Sequence, residues 1–125
     1  MIEFEPHRMY IPSIGFKFKL IQDWNLTLYA EHRNVNFATK IGIEGTDPST
    51  KYSWRVGFKD TVISIPKDTV LKVARIYIRV GAKDFDSVTF TVVQSPDKKF
   101  KGRFWAKLKD VNQMIFEPWT DFSEL

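Results

Sequence analysis

The chain contains no cysteine. Disulfide staples, thiol nucleophiles and thiolate zinc sites are therefore excluded, and redox chemistry dictates no compartment. Its six glycines form neither Gly-x-Gly-x-x-Gly nor Gly-x4-Gly-Lys-Ser/Thr, which removes the common phosphate-cradling loops and nucleotide hydrolysis by those routes. No run approaches the roughly 18 apolar residues of a membrane-spanning helix. The segment Met1-Ile2-Glu3-Phe4-Glu5-Pro6 carries two acids where a secretory signal has a basic start and an apolar run. A cytoplasmic protein without membrane contact is expected, and the formal sequon Asn25-Leu26-Thr27 then has no consequence.

Only two histidines occur. His7 lies near Glu5 and His32 near Glu31, and a His/carboxylate pair can ligate a metal or move a proton. The simpler expectation is two surface histidines near strand ends. Asp84 and Asp86 bracket Phe85 in a loop and could offer oxygen ligands to a divalent cation. Two carboxylates make a weak site, however, and capping of backbone amides explains the same residues. No catalytic residue, metal or cofactor is expected, so the chain reads as a non-enzyme.

What the sequence does have is aromatic surface: 15% of its 125 residues, eleven of them Phe, a bias towards pleated, half-buried elements. With 43% hydrophobic residues one domain of this length can build a core unaided. Alternation with a period of two recurs along the chain and places successive side chains on opposite faces of strands. Phe16-Lys17-Phe18-Lys19-Leu20 and Trp24-Asn25-Leu26-Thr27-Leu28 show it, with Gln22-Asp23 as a hairpin turn between them. Phe37 to Ile43 and Tyr52 to Phe58 are further candidate strands, separated by the turn-rich segment Glu44 to Thr50. Thr61 to Ile65 is stopped at Pro66, which has no N–H to donate to a ladder. Val70 to Val80, Ser87 to Val93 and Arg103 to Leu108 complete the set, the last two joined by a basic loop from Gln94 to Gly102. Asp110 to Met114 allows one short helical turn. The expected fold is all-β, an antiparallel sandwich or partly open barrel of about seven or eight strands with little helix, in a single domain spanning 1–125. Phe16, Phe18, Leu26, Ile76, Val88, Phe90 and Phe104 are expected to face inward.

Charge is distributed unevenly. Met1 to Pro66 carries 8 basic and 7 acidic residues, Lys67 to Lys109 carries 11 and 4, and Asp110 to Leu125 carries none and 4. A basic block is thus followed by an acidic, aromatic C-terminal tail over 110–125, suited to dock into a partner's groove or to fold back on the basic face. Within the block, Val70, Lys72, Ala74, Ile76, Ile78 and Val80 are expected to form a mostly core-facing side, leaving Arg75, Tyr77 and Arg79 on the other. Inward Phe104, Ala106 and Leu108 likewise leave Arg103, Trp105 and Lys107 outward. Each strand then shows a basic-aromatic-basic triplet. Such cations neutralise phosphates while a ring stacks on an unpaired base, the combination of single-stranded nucleic-acid binders. Cross-strand cation–π pairing inside an ordinary sheet explains the same residues without a ligand.

The stretch from Ala74-Arg75-Ile76-Tyr77-Ile78-Arg79-Val80-Gly81 through Asp84-Phe85-Asp86-Ser87-Val88-Thr89-Phe90, together with Arg103-Phe104-Trp105-Ala106-Lys107-Leu108, resembles small uncharacterised proteins encoded by tailed bacteriophages. The resemblance covers the second half of the chain. It implies a viral protein acting in the bacterial cytoplasm during infection, on host machinery or phage nucleic acid. The function expected from the residues is a binding module contacting nucleic acid. The alternative is a protein–protein interaction module, such as a phage-encoded inhibitor or accessory factor of a host protein, since Tyr, Trp and Arg are also the enriched anchor types of protein interfaces.

Overall fold

A computed structural model describes residues 12–43, 58–78 and 86–119. Seven strands are present among them: β1 (Lys17–Leu20), β2 (Trp24–Leu28), β3 (Thr61–Ile65), β4 (Val70–Tyr77), β5 (Ser87–Gln94), β6 (Gly102–Lys107) and β7 (Phe116–Pro118). They form two antiparallel sheets, one of five strands in the order β6-β5-β4-β1-β7 and one of two, β2-β3. The expected all-β architecture is observed, with helix among the described residues confined to a 3₁₀ turn (His32–Asn34), α1 (Val35–Lys40) and α2 (Leu108–Val111). No described helix is long and apolar enough to cross a membrane.

The core lies between the layers. Phe18 and Leu20 of β1, Leu71 and Val73 of β4, Val88 and Phe90 of β5, and Phe104 and Ala106 of β6 cover one side of the larger sheet. Trp24, Leu26 and Leu28 of β2, Ile65 of β3, Phe37 of α1 and Val111 of α2 close over them. Phe90 is the hub, its ring 5.8 Å from that of Phe18, 5.7 Å from Trp24 and 5.6 Å from Phe104. Of the residues expected inward, Phe18, Leu26, Val88, Phe90 and Phe104 are buried, and Phe16 and Ile76 are partly buried against the same cluster.

Three expectations are corrected. Gln22-Asp23 is not a hairpin turn: β1 pairs with β4 and β7, while β2 pairs with β3, so the chain changes sheet there. Both strands carry one apolar face, and those faces meet across the core instead of lying side by side. Alternation alone cannot separate the two arrangements, because it defines faces and leaves neighbours open.

Phe37 to Ile43 is not a strand. Val35, Phe37 and Ala38 are all buried, and adjacent residues 37 and 38 cannot share one face of a strand, whereas they can share the buried arc of a helix. The helix stops at Gly42, whose φ of 84° is the left-handed conformation glycine adopts without strain. There the Gly42 N–H donates to the Thr39 carbonyl at 3.1 Å and the Ile43 N–H to that of Ala38 at 3.0 Å, the paired bonds of a Schellman cap. Nothing lies within 4 Å of a methyl added at Gly42, so Gly42→Ala should lower stability by about 1–2 kcal/mol through backbone strain alone. Chemical denaturation reads this as a lower midpoint at unchanged slope.

The third correction concerns β4. Its register shifts between Val73 and Arg75, a bulge that places one extra residue in the strand and resets the alternation. Leu71 and Val73 are therefore buried ahead of it, and Lys72, expected on the core-facing side, is exposed. Beyond the bulge Arg75 and Tyr77 point outward as expected, with Ile76 inward.

Candidate functional site

Ladder register brings the outward side chains of β4, β5 and β6 into rows. Lys72 is opposite Thr91, which is opposite Arg103; Arg75 is opposite Thr89, which is opposite Trp105; Tyr77 is opposite Ser87, which is opposite Lys107. Outer members of a row stand two strand spacings apart, roughly 10 Å. Lys17 of β1 extends the first row beyond Lys72. Five of the six residues singled out from sequence thus share one sheet face; the sixth, Arg79, lies outside the described residues, as do His7 and Asp84.

The face has a wall at β6, built by residues that alternation did not single out. Asn34, fully buried, accepts from the Trp105 N–H through Oδ1 at 2.8 Å, while its Nδ2 donates to the Tyr29 and Trp105 carbonyls at 3.1 and 3.4 Å. These bonds replace the ladder that the edge strand lacks on that side. They also anchor the 3₁₀ turn and α1 against it. The same helix packs Phe37 on Phe104, with ring centroids 4.5 Å apart, and leaves Asn36 and Lys40 exposed, as the 3₁₀ turn before it leaves Arg33. Gly102 has a φ of 87°, and a methyl there would meet the Lys40 ammonium at 2.9 Å. The absence of a side chain therefore lets this cation lie against the start of β6. Asn34→Ala should cost about 1–3 kcal/mol, because it leaves the Trp105 N–H without its acceptor; a thermal melt reads this directly.

Between the wall and the sheet is a hollow of about 440 Å³ lined by Arg33, Asn36, Lys40, Arg75, Thr89, Arg103, Phe104 and Trp105. Among the described residues its lining has four cations and no carboxylate. Glu31 stands beside it and is already engaged: its carboxylate takes the Arg33 Nε–H at 3.1 Å and the Trp105 indole N–H at 2.5 Å. Lys40, Lys72, Arg75 and Arg103 form no ion pair among the described residues; the pairs present there are Lys19–Glu117, Arg33–Glu31 and Lys99–Asp97. Like charges left facing one another across a sheet destabilise it, and a bound anion removes that repulsion.

The aromatic members divide. Trp105 is stacked on Tyr29 with centroids 5.5 Å apart and planes 5° from parallel, and the Arg33 guanidinium lies 5.4 Å from its centroid. Lys107 in turn sits over the Tyr29 ring at 4.5 Å. These cation–π contacts do not run across neighbouring strands, the arrangement weighed for this sheet; they tie Trp105 and Lys107 of β6 to Arg33 of the 3₁₀ turn and to Tyr29 before it. Tyr77 is different: 52% exposed, it is the open ring of the face.

Of the other candidates, His32 and Asp86 lie among the described residues. His32 is in the 3₁₀ turn, partly buried, with an Nδ1 that has no hydrogen-bond partner, and so is not the strand-end surface residue expected. Asp86 is buried. Among the described residues no three His, Cys, Asp or Glu side chains are placed to hold a metal ion. The described part of the acidic tail does not cover the basic face, because β7 pairs with β1 at the opposite edge of the sheet and Glu117 bridges to Lys19 at 3.1 Å. In comparison with known proteins the chain matches no family model, no curated protein and no solved structure, so a functional reading must come from this surface itself.

Proposed function

We propose that the protein is a non-enzymatic binding module that holds single-stranded nucleic acid across the outer face of β4, β5 and β6. The observation that carries this reading is the set of four cations without carboxylate partners among the described residues, Lys40, Lys72, Arg75 and Arg103, sharing a surface with the exposed ring of Tyr77. Phosphates supply the missing counter-charge, and a base released from pairing stacks on the ring. Thr89 and Thr91 between the cations offer hydroxyl hydrogen bonds to phosphate or sugar. The resemblance to bacteriophage proteins supports a setting in the bacterial cytoplasm during infection, with phage or host strands as ligand.

The test is a titration with short DNA and RNA strands of mixed sequence at about 50 mM salt. Binding tighter than millimolar is expected. Tyr77→Ala should weaken it by about 1–3 kcal/mol, the worth of one stacked base, with the salt dependence unchanged. Absence of binding below millimolar would overturn the reading, and the same rings and arginines would then be anchors for a protein partner.

A further inference from the structure

We infer that the hollow against the helical wall takes a terminal phosphate monoester, so that the face holds the phosphorylated end of a strand and not only its interior. The inference rests on the nucleic-acid reading for the strand, and on the hollow alone for the phosphate. Its first ground is charge density. Arg33, Lys40, Arg75 and Arg103 converge on one space of about 440 Å³. An interior phosphodiester brings one negative charge and two free oxygens, whereas a monoester at neutral pH brings about −1.5 to −2 and three strong acceptor oxygens. The guanidinium forks of Arg75 and Arg103 and the Lys40 ammonium, with the Nη donors that Arg33 keeps outside its pair with Glu31, match the monoester better than the diester.

The second ground is shape. The sheet face continues from β5 through β4 to β1, but at β6 the 3₁₀ turn and α1 stand against the edge strand, fixed there by the Asn34 bonds to Trp105. A strand laid across the sheet therefore meets a wall on that side, and the cations cluster at its foot. The hollow is also within the size range of small-ligand sites, roughly 300–1,000 Å³, large enough for a terminal nucleotide. Lys40 is the residue that ties wall to hollow, since its ammonium lies over Gly102 beside Arg103.

The experiment compares one ten-nucleotide strand in four forms: both ends hydroxyl, 5′-phosphate, 3′-phosphate and both phosphorylated, each titrated by fluorescence anisotropy. At least one monophosphorylated form is expected to bind ten-fold or more tighter than the hydroxyl form. Lys40→Ala should weaken the hydroxyl strand by no more than about five-fold, the loss of one exposed contact, and bring that ratio down towards one, whereas Tyr77→Ala should weaken every form and keep the ratio. Lys40 is exposed, so its removal does not threaten folding, and an unchanged thermal melt verifies this. Equal affinity for all four forms overturns the inference and leaves the nucleic-acid reading standing. A nucleoside monophosphate that binds in a Lys40-dependent way when no strand binds would keep the phosphate site and sink the strand reading, whereas absence of binding by strands and monophosphate sinks both.

Discussion

Phe90→Ala should destabilise the protein by about 3–5 kcal/mol, the largest stability effect expected of a single substitution here. Phe90 is fully buried, and its ring meets those of Phe18, Trp24 and Phe104. Those three rings come from β1, β2 and β6, so truncation opens a cavity where both sheets meet. Its walls are large rings in fixed rotamers that cannot collapse to fill it, which places the cost in the upper part of the range for core truncations. For a domain of this size the melting temperature should fall on the order of 10–20 °C. Val62→Ala serves as the contrast. Val62 on β3 is 71% exposed, and its loss should change stability by no more than about 0.5 kcal/mol. Equal effects at the two positions would mean that the inner and outer faces are assigned the wrong way round.

The largest effect on binding is expected from Arg75→Ala combined with Arg103→Ala. The two stand in adjacent rows of the outer face and line the same hollow. Neither has an ion-pair partner to lose among the described residues, so the double variant should fold as stably as the parent or slightly more so, as repulsion is relieved. Both side chains are exposed, and solvent screening limits each contact to about 1 kcal/mol. Together they should weaken binding to a single strand roughly 30-fold at low salt, with an unchanged melt separating lost contact from lost fold. Trp105→Ala is a poorer probe of binding. The indole is tied to Glu31 and stacked on Tyr29, so its removal loosens the wall as well as any ligand contact.

The strands were legible in the sequence wherever a single alternation ran uninterrupted. Phe18 and Leu20 on β1, Val88 and Phe90 on β5, and Phe104 and Ala106 on β6 are inward in the structure as their period of two requires. Lys72 was misplaced because the bulge at Val73/Arg75 adds one residue, and a bulge without a glycine leaves no mark in the residue pattern. The wall was missed for a different reason. Val35 and Phe37 read as alternating, yet Ala38 breaks that alternation, and Lys40-Ile41-Gly42-Ile43 has the cation, glycine and following apolar residue of a helix C-terminus. That signal was present and predicts a helix over the segment assigned to a strand. Such a helix extends the basic surface by Arg33 and Lys40. The stacking of Tyr29 on Trp105 was not legible, because it joins residues 76 positions apart through a chain path that alternation does not specify.

If Lys40, Lys72, Arg75 and Arg103 contact phosphates of one bound strand, the salt dependence of binding counts those contacts. Each contact should add about 0.7 to the slope of log affinity against log salt for a single strand. Four contacts predict a slope near −3, so affinity should fall about 50-fold between 50 and 200 mM salt. The double variant at Arg75 and Arg103 should halve that slope to about −1.4. A slope near zero for the unaltered protein, or one that the double variant leaves unchanged, would contradict the account.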